Sequence, residues 1–218
     1  KILKKYSKNV IKIVWQPKNE NNEIHYGYVE SLEHYKENYI NENDWTTFID
    51  IDEFVILNSN KYNLKDFIKS KQKENINKII IKQNKMEDRL CQIDKSILEI
   101  TNSIDVNTDG WASKNICKNS DLSKEQLDKS SAMHNITLNK EITFNASIND
   151  LYFNHYNVNK TQIDWMKGYF KKDSFITKKD NSLNKYKDKL YDFNLLSNRN
   201  YDKNYFEILK KEYCYNFN

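Results

Sequence analysis

A chain of 218 residues, 38% hydrophobic and 30% charged, has room for one large domain or one domain with an appendage, and its 15 Tyr, 10 Phe and 4 Trp supply bulk for a core. Its 35 basic and 31 acidic residues leave a formal net charge of +4, too balanced for a dedicated nucleic-acid binder. Three widely spaced cysteines, Cys91, Cys117 and Cys214, form no C-x-x-C pair, which excludes a zinc ribbon and a dithiol redox site and points to a reducing compartment.

In chain order, residues 1–8 read as the end of a basic helix, and "NVIKIVWQ" (9–16) as a short strand with Ile11 and Ile13 on one face. Residues 24–40 place Tyr28, Leu32, Tyr35 and Tyr39 at helical spacing. "NDWTTFIDIDEFVIL" (43–57) is the most apolar, strand-like piece of the chain, and it holds three carboxylates, Asp50, Asp52 and Glu53. A helix over 63–73 turns Leu64, Phe67 and Ile68 inward, and "INKIIIKQ" (76–83) is a second strong strand. Residues 89–100 fit strand or helix, and 110–118, 134–140, 141–148 and 151–158 are strand-like. A helix over 160–172 precedes a Lys/Asp/Asn-rich stretch, 171–188, that has the composition of a loop; residues 180–218 form a Tyr-rich helical tail. Strands alternating with helices in the first half, then strands in series, imply an α/β fold with a mixed sheet.

In an extended strand, Asp50 and Asp52 share a side, roughly 6.6 Å apart along the chain. Two carboxylates at the end of a buried strand repel each other, so the position calls for a cation, a protonated member or solvent. Ligands of open α/β sheets bind beyond the carboxyl ends of strands, and an acid pair there suits Mg²⁺ or Mn²⁺. The plainer alternative is that the two aspartates end a strand and cap the turn that follows.

The stretch "WTTFIDIDEF", Trp45 to Phe54, resembles the D-x-D-E-F segment of GT-A-type glycosyltransferases, closest to glycosyltransferase family 92 (domain of unknown function 23) and its bacterial and viral relatives. Other pieces follow in the family's order over about residues 1–170. "YVESLEHYKENYINENDW" resembles the helix before the D-x-D strand, "SKNI" (113–116) a lysine–isoleucine strand, and "NHYNVNKTQIDWMK" (154–167) an asparagine–histidine–tyrosine strand with its helix. Leu90 departs from the family's Arg-aromatic pair, and Asn159-Lys160 stands where the family has Lys-Ser.

The resemblance implies a GT-A-like, Rossmann-like mixed sheet flanked by helices over 1–172, N-terminally incomplete because the family's first nucleotide-binding strand precedes Lys1, with a helical extension over 173–218. It implies transfer of a hexose from a nucleotide sugar, a UDP-sugar by expectation, to an acceptor hydroxyl of a glycan, glycolipid or glycoprotein, with Mn²⁺ or Mg²⁺ neutralising the diphosphate leaving group. Asp52 is then a direct metal ligand, Asp50 acts through water or on the ribose, and His155 is a further metal or diphosphate contact. Glu53, grouped with the catalytic residues, orients the strand end or neighbouring basic groups. Lys114, Lys167 and Arg89 are candidates for phosphate. Asp109, beside Gly110 and Trp111, is the candidate base for an inverting transfer, with Glu87 and Asp88 competing.

Each candidate has a bland alternative: a core histidine wedged between Phe153 and Tyr156 for His155, a structural or acceptor-lining role for His134, solvated lysines, a salt-bridged Arg89, and a turn aspartate for Asp109. Two other functions compete. A metal-dependent nuclease is suggested by the acids and "IIIKQNK" (79–85), although the acid-x-Lys pattern is missing and the charge is too balanced for strong duplex binding. A non-catalytic glycan-binding or interaction module is the other. With no apolar run of membrane-spanning length and no signal-peptide pattern in the visible chain, the expectation is a cytoplasmic protein, or one peripheral at the inner face of a membrane through its Lys- and Tyr-rich tail.

Overall fold

One nine-residue strand, Lys78–Met86, organises the sheet. The computed structural model describes residues 8, 10–14, 16–24, 27–42, 44–50, 52–59, 62–86, 102–104, 113–122, 134–156, 177–179 and 181–183. In chain order these form α1 (Tyr28–Asn38), β1 (Trp45–Thr47), β2 (Glu53–Leu57), α2 (Leu64–Lys73), β3 (Lys78–Met86), β4 (Asn102–Ile104), β5 (Lys114–Lys118), a 3-10 turn at Asn119–Asp121, β6 (Thr143–Asn145), β7 (Leu151–His155) and β8 (Thr177–Lys179).

The first half of β3 pairs antiparallel with β5 and parallel with β6. Its second half pairs parallel with β7 and, at Lys85 and Met86, antiparallel with β4. Strand β1 adds to β5, β2 to β7 and β8 to β4, all antiparallel. The mixed sheet and two described helices make the class α/β.

Alternation along β3 assigns each face. Ile79 and Ile81 lie level with Ile116 and Lys114 of β5, and with Leu57, Phe67, Leu151 and Phe153 they form one apolar cluster on the α2 side. On the opposite face Cys117 packs with Leu32, within α1, with Ile40, just beyond it, and with Leu122, Ile136 and Leu138. Burial pushes the Cys117 thiol up to about 12, with the Lys78 cation opposing and Glu141 assisting, so it behaves as a small apolar side chain. A third cluster, Ile56, Met86, Tyr152, Tyr156 and Leu183, backs the β2–β7 end of the sheet.

Several elements depart from the sequence expectations. The apolar stretch 43–57 is not one strand. Its halves are claimed by different partners, β1 by β5 and β2 by β7, and the acids occupy the crossing between them. Residues 10–14 form no strand, and Ile11 and Val14 are 69% and 78% exposed. The apolar pattern there meets no ladder partner among the described residues beyond the isolated bridge Lys18–Ile24 next to it. Residues 134–140 contribute only the bridge Leu122–Leu138, their apolar side chains packing from a loop. Strand β8 lies in the stretch read as a loop. Residues 89–100, the helix expected over 160–172, and the tail apart from 181–183 lie outside the described residues. No helix among the described residues is long and apolar enough to cross a membrane.

Candidate functional site

The face of the sheet that is apolar at Ile79, Ile81, Leu151 and Phe153 turns polar toward one end. The next residues on that face are Gln83 and Lys85 of β3, His155 of β7, Glu53 of β2 and Lys114 of β5. Asp50 and Asp52 sit in the turn entering β2, at the same end.

That turn is held tightly. The Glu53 amide donates to the Asp50 carbonyl at 3.1 Å, and the Asp50 amide donates to Glu53 Oε2 at 2.7 Å. The Tyr156 amide donates to the Asp52 carbonyl at 2.9 Å, continuing the β2–β7 ladder one step past Glu53–His155. The backbone of Asp52 is therefore fixed to the end of β7.

The side chains divide into two groups. Lys114 Nζ, with its side chain 0% exposed, lies 3.1 Å from Glu53 Oε2 and 3.3 Å from Asp50 Oδ2. Glu53 is 2% exposed and Asp50 36%, so one ammonium joins a buried and an accessible carboxylate. Fully buried, this ammonium is desolvated and compensated inside the turn, not held out toward a cleft. Separately, His155 Nε2 lies 3.7 Å from Asp52 Oδ2, with side-chain exposures of 16% and 9%. That separation is too long for a hydrogen bond. The amide of Gln83 bonds His155 on the other side, at Nδ1.

The expectation of two aspartates side by side on an extended strand is corrected here. Asp50 and Asp52 lie in a turn, the first joined to Lys114 and the second next to His155. Among the described residues no group of three or more His, Cys, Asp and Glu side chains is placed to hold a metal ion. Asp52 and His155 are a two-donor set. Carboxylate oxygen with imidazole nitrogen suits Mn²⁺ better than Mg²⁺. Their 3.7 Å separation is within the span of two donors about 2 Å from a common ion. Such ions are commonly held by one or two side chains, with substrate phosphates and water completing the shell. Among the described residues the pair stops at two donors.

His134 is bonded to the residues on either side of Lys114. Its Nδ1 is 3.2 Å from the Ser113 carbonyl, and its own carbonyl accepts from Asn115 Nδ2 at 2.8 Å, so it ties the 134–140 loop to the start of β5. Arg89, Asp109 and Lys167, with Glu87, Asp88 and Trp111, lie outside the described residues.

Gln83 is a contact that sequence reading missed. The signal was present: in the alternating set Ile79, Ile81, Gln83, Lys85, polar residues continue a buried face, which marks a polar site at its end. Behind it, on the other face, Asn84 Nδ2 donates to Asn154 Oδ1 at 2.8 Å and Asn154 Nδ2 to Ser182 Oγ at 3.1 Å, locking β3 and β7 in register beneath the site.

No protein-family model matches the chain, and no curated protein matches it.

Proposed function

We propose that the chain is a GT-A-like, metal-dependent glycosyltransferase that moves a hexose from a nucleotide sugar, a UDP-sugar by preference, to an acceptor hydroxyl of a glycan. The observation that carries this reading is the approach of His155, from β7, to Asp52 of the D-x-D-E turn, at the end where the core face of the sheet becomes polar. Two residues 103 positions apart in a low-complexity-poor, charge-balanced chain meet there as a carboxylate–imidazole pair.

In this reading Asp52 and His155 hold a divalent ion. When bound there, the ion supplies Lewis-acid neutralisation of the departing diphosphate. Glu53 fixes the turn by accepting from the Asp50 amide, and Lys114 neutralises Glu53 and Asp50 from inside. Asp50, the most exposed of the three acids, faces the ribose or an ordered water. Asp109 remains the proposed base, and Arg89 and Lys167 the proposed phosphate contacts. The acceptor and any membrane contact through the basic tail belong to the same proposal, as does a cytoplasmic or inner-face location.

The decisive measurement is release of UDP from a UDP-sugar panel with Mn²⁺. The wild-type chain is expected to release it, and Asp52→Asn to lose on the order of 10²-fold or more of that rate while keeping its fold. No release from any donor, or full release by the variant, overturns the reading. The pairing of Asp50 and Glu53 with Lys114, which leaves two donors for an ion among the described residues, favours a second reading, a non-catalytic glycan-binding module. Glycan-array binding without UDP release selects it, whereas metal-dependent plasmid nicking selects a nuclease.

A further inference from the structure

A groove of about 560 Å³ opens at the end of β3 opposite the acid turn, between the C-terminal end of α2, the turn after β5 and the approach to β6. That volume is in the range of small-molecule sites. Asn77, which precedes β3 and is 7% exposed, ties the walls together. Its Nδ2 donates to Asp121 Oδ2 at 2.8 Å and to the Lys140 carbonyl at 2.6 Å, and its Oδ1 accepts from the Ile142 amide at 2.8 Å. Its own carbonyl accepts from the Lys118 amide at 2.9 Å. At the α2 wall the Asn75 amide donates to the Gln72 carbonyl and the Ile76 amide to the Lys71 carbonyl, with Asn75 at φ 60°, which closes the helix end. The walls are therefore fixed before any ligand arrives, and this lowers the cost of binding.

The polar groups lining this frame are unengaged. Among the described residues, the side-chain amides of Gln72, Asn75 and Asn139 and the ammonium groups of Lys118 and Lys140 bond to no other protein group. Asp121 is the carboxylate of the groove, and it is already held by Asn77 and, at Oδ1, by Ser120 Oγ at 3.0 Å. Two cations against one carboxylate leave one positive charge over. Amides donate and accept, as hydroxyls require, and Ile76 and Ile142 supply apolar surface for the C–H face of a ring. The C-terminal end of α2 carries partial negative charge, which weighs against a doubly charged phosphate and for a single carboxylate. We propose that this groove binds a sugar unit bearing a carboxylate, its hydroxyls on the amides and its acid group on Lys118 and Lys140. The choice of a sugar rests on the glycan-handling reading above. The groove itself does not depend on the acid turn: Asn77 and Gln83 are six positions apart in extended chain, roughly 20 Å.

The test uses the full chain, without metal or nucleotide sugar, on an array of uronate-bearing, sialylated and neutral oligosaccharides, followed by calorimetry with the tightest binder. Wild type is expected to prefer the carboxylated oligosaccharides. Lys118→Gln and Lys140→Gln are each expected to weaken that binding roughly tenfold, with the urea unfolding midpoint unchanged. No carboxylated oligosaccharide bound, equal binding of neutral and carboxylated ones, or full affinity in the double variant overturns the proposal. Displacement of the oligosaccharide by an equal concentration of inorganic phosphate or of a glutamate-rich peptide overturns it too, and reassigns the groove to phosphate or to acidic peptide. None of these readouts involves UDP release. Binding of the carboxylated oligosaccharide by a chain that releases no UDP upholds the groove and removes the transferase reading, whereas UDP release without such binding removes the groove alone.

Discussion

Lys114 illustrates what a buried charge demands of its surroundings. Removing an ammonium from water costs several kcal/mol, and its partners offset this only if they are close and well placed. Here Glu53, equally buried, stands 3.1 Å away and Asp50 stands 3.3 Å away with part of its surface in solvent. The pair is therefore specific to its site and a weak net source of stability, yet costly to break. Lys114→Met leaves Glu53 buried without its cation, and the expected loss is roughly 3–5 kcal/mol, read from the urea unfolding midpoint. A midpoint equal to wild type would mean that Glu53 is not held by this lysine. The lysine itself was visible in "SKNI" as a strand residue, but its direction was not. Period-two alternation places Lys114 on the same face as Ile116, which is the core face, and only the pairing of β5 with β3 reveals that this face ends in carboxylates.

At the scale of elements, the legible parts were those whose pattern is local. The helix over 63–73 was marked by its apolar spacing; the structure adds its cap, Asn63, whose Oδ1 accepts from the Asp66 amide at 3.0 Å while its Nδ2 donates to Asp66 Oδ2 at 2.7 Å. Asn63→Ala removes both bonds from the first turn of α2. The expected loss is about 1 kcal/mol, visible as a lowered melting temperature, and because Phe67 anchors the helix to the core the folded state should survive. A melting temperature equal to that of wild type would show that the cap is dispensable. Strand partners, in contrast, are not written locally. Nothing within "NDWTTFIDIDEFVIL" says that Thr46 will lie opposite Cys117 while Val55 lies opposite Phe153, and the break at the acids follows from that division. The same blindness made 9–16 look like a strand: apolar alternation describes a surface that accepts a neighbour and does not supply one.

Across the whole molecule, β3 joins two regions with opposite chemistry. Its C-terminal half leads to Gln83, His155 and the acid turn, while its first residue, Lys78, is buried at the other end and donates to Glu141 Oε1 at 2.9 Å, across 63 positions of sequence. The amide of Leu138 donates to the same Oε1 at 3.0 Å. Glu141 thus gathers the loop over 134–140, the approach to β6 and the start of β3. Partial burial pushes its carboxyl up, but the hydrogen bonds from Lys78 and Leu138, with the charge of Lys78, outweigh it and hold the group below its ordinary value of 4.5. A carboxyl lowered in the folded state binds fewer protons than in the unfolded chain, so its contribution is complete above 4.5 and disappears as pH falls through the lower folded value. Glu141→Gln should therefore be less stable than wild type at neutral pH, and the difference should shrink steadily as the solution is acidified below that point. A gap that stays constant on acidification would show that the Glu141 charge does not clasp this end of β3 and that packing alone brings the loop to the sheet.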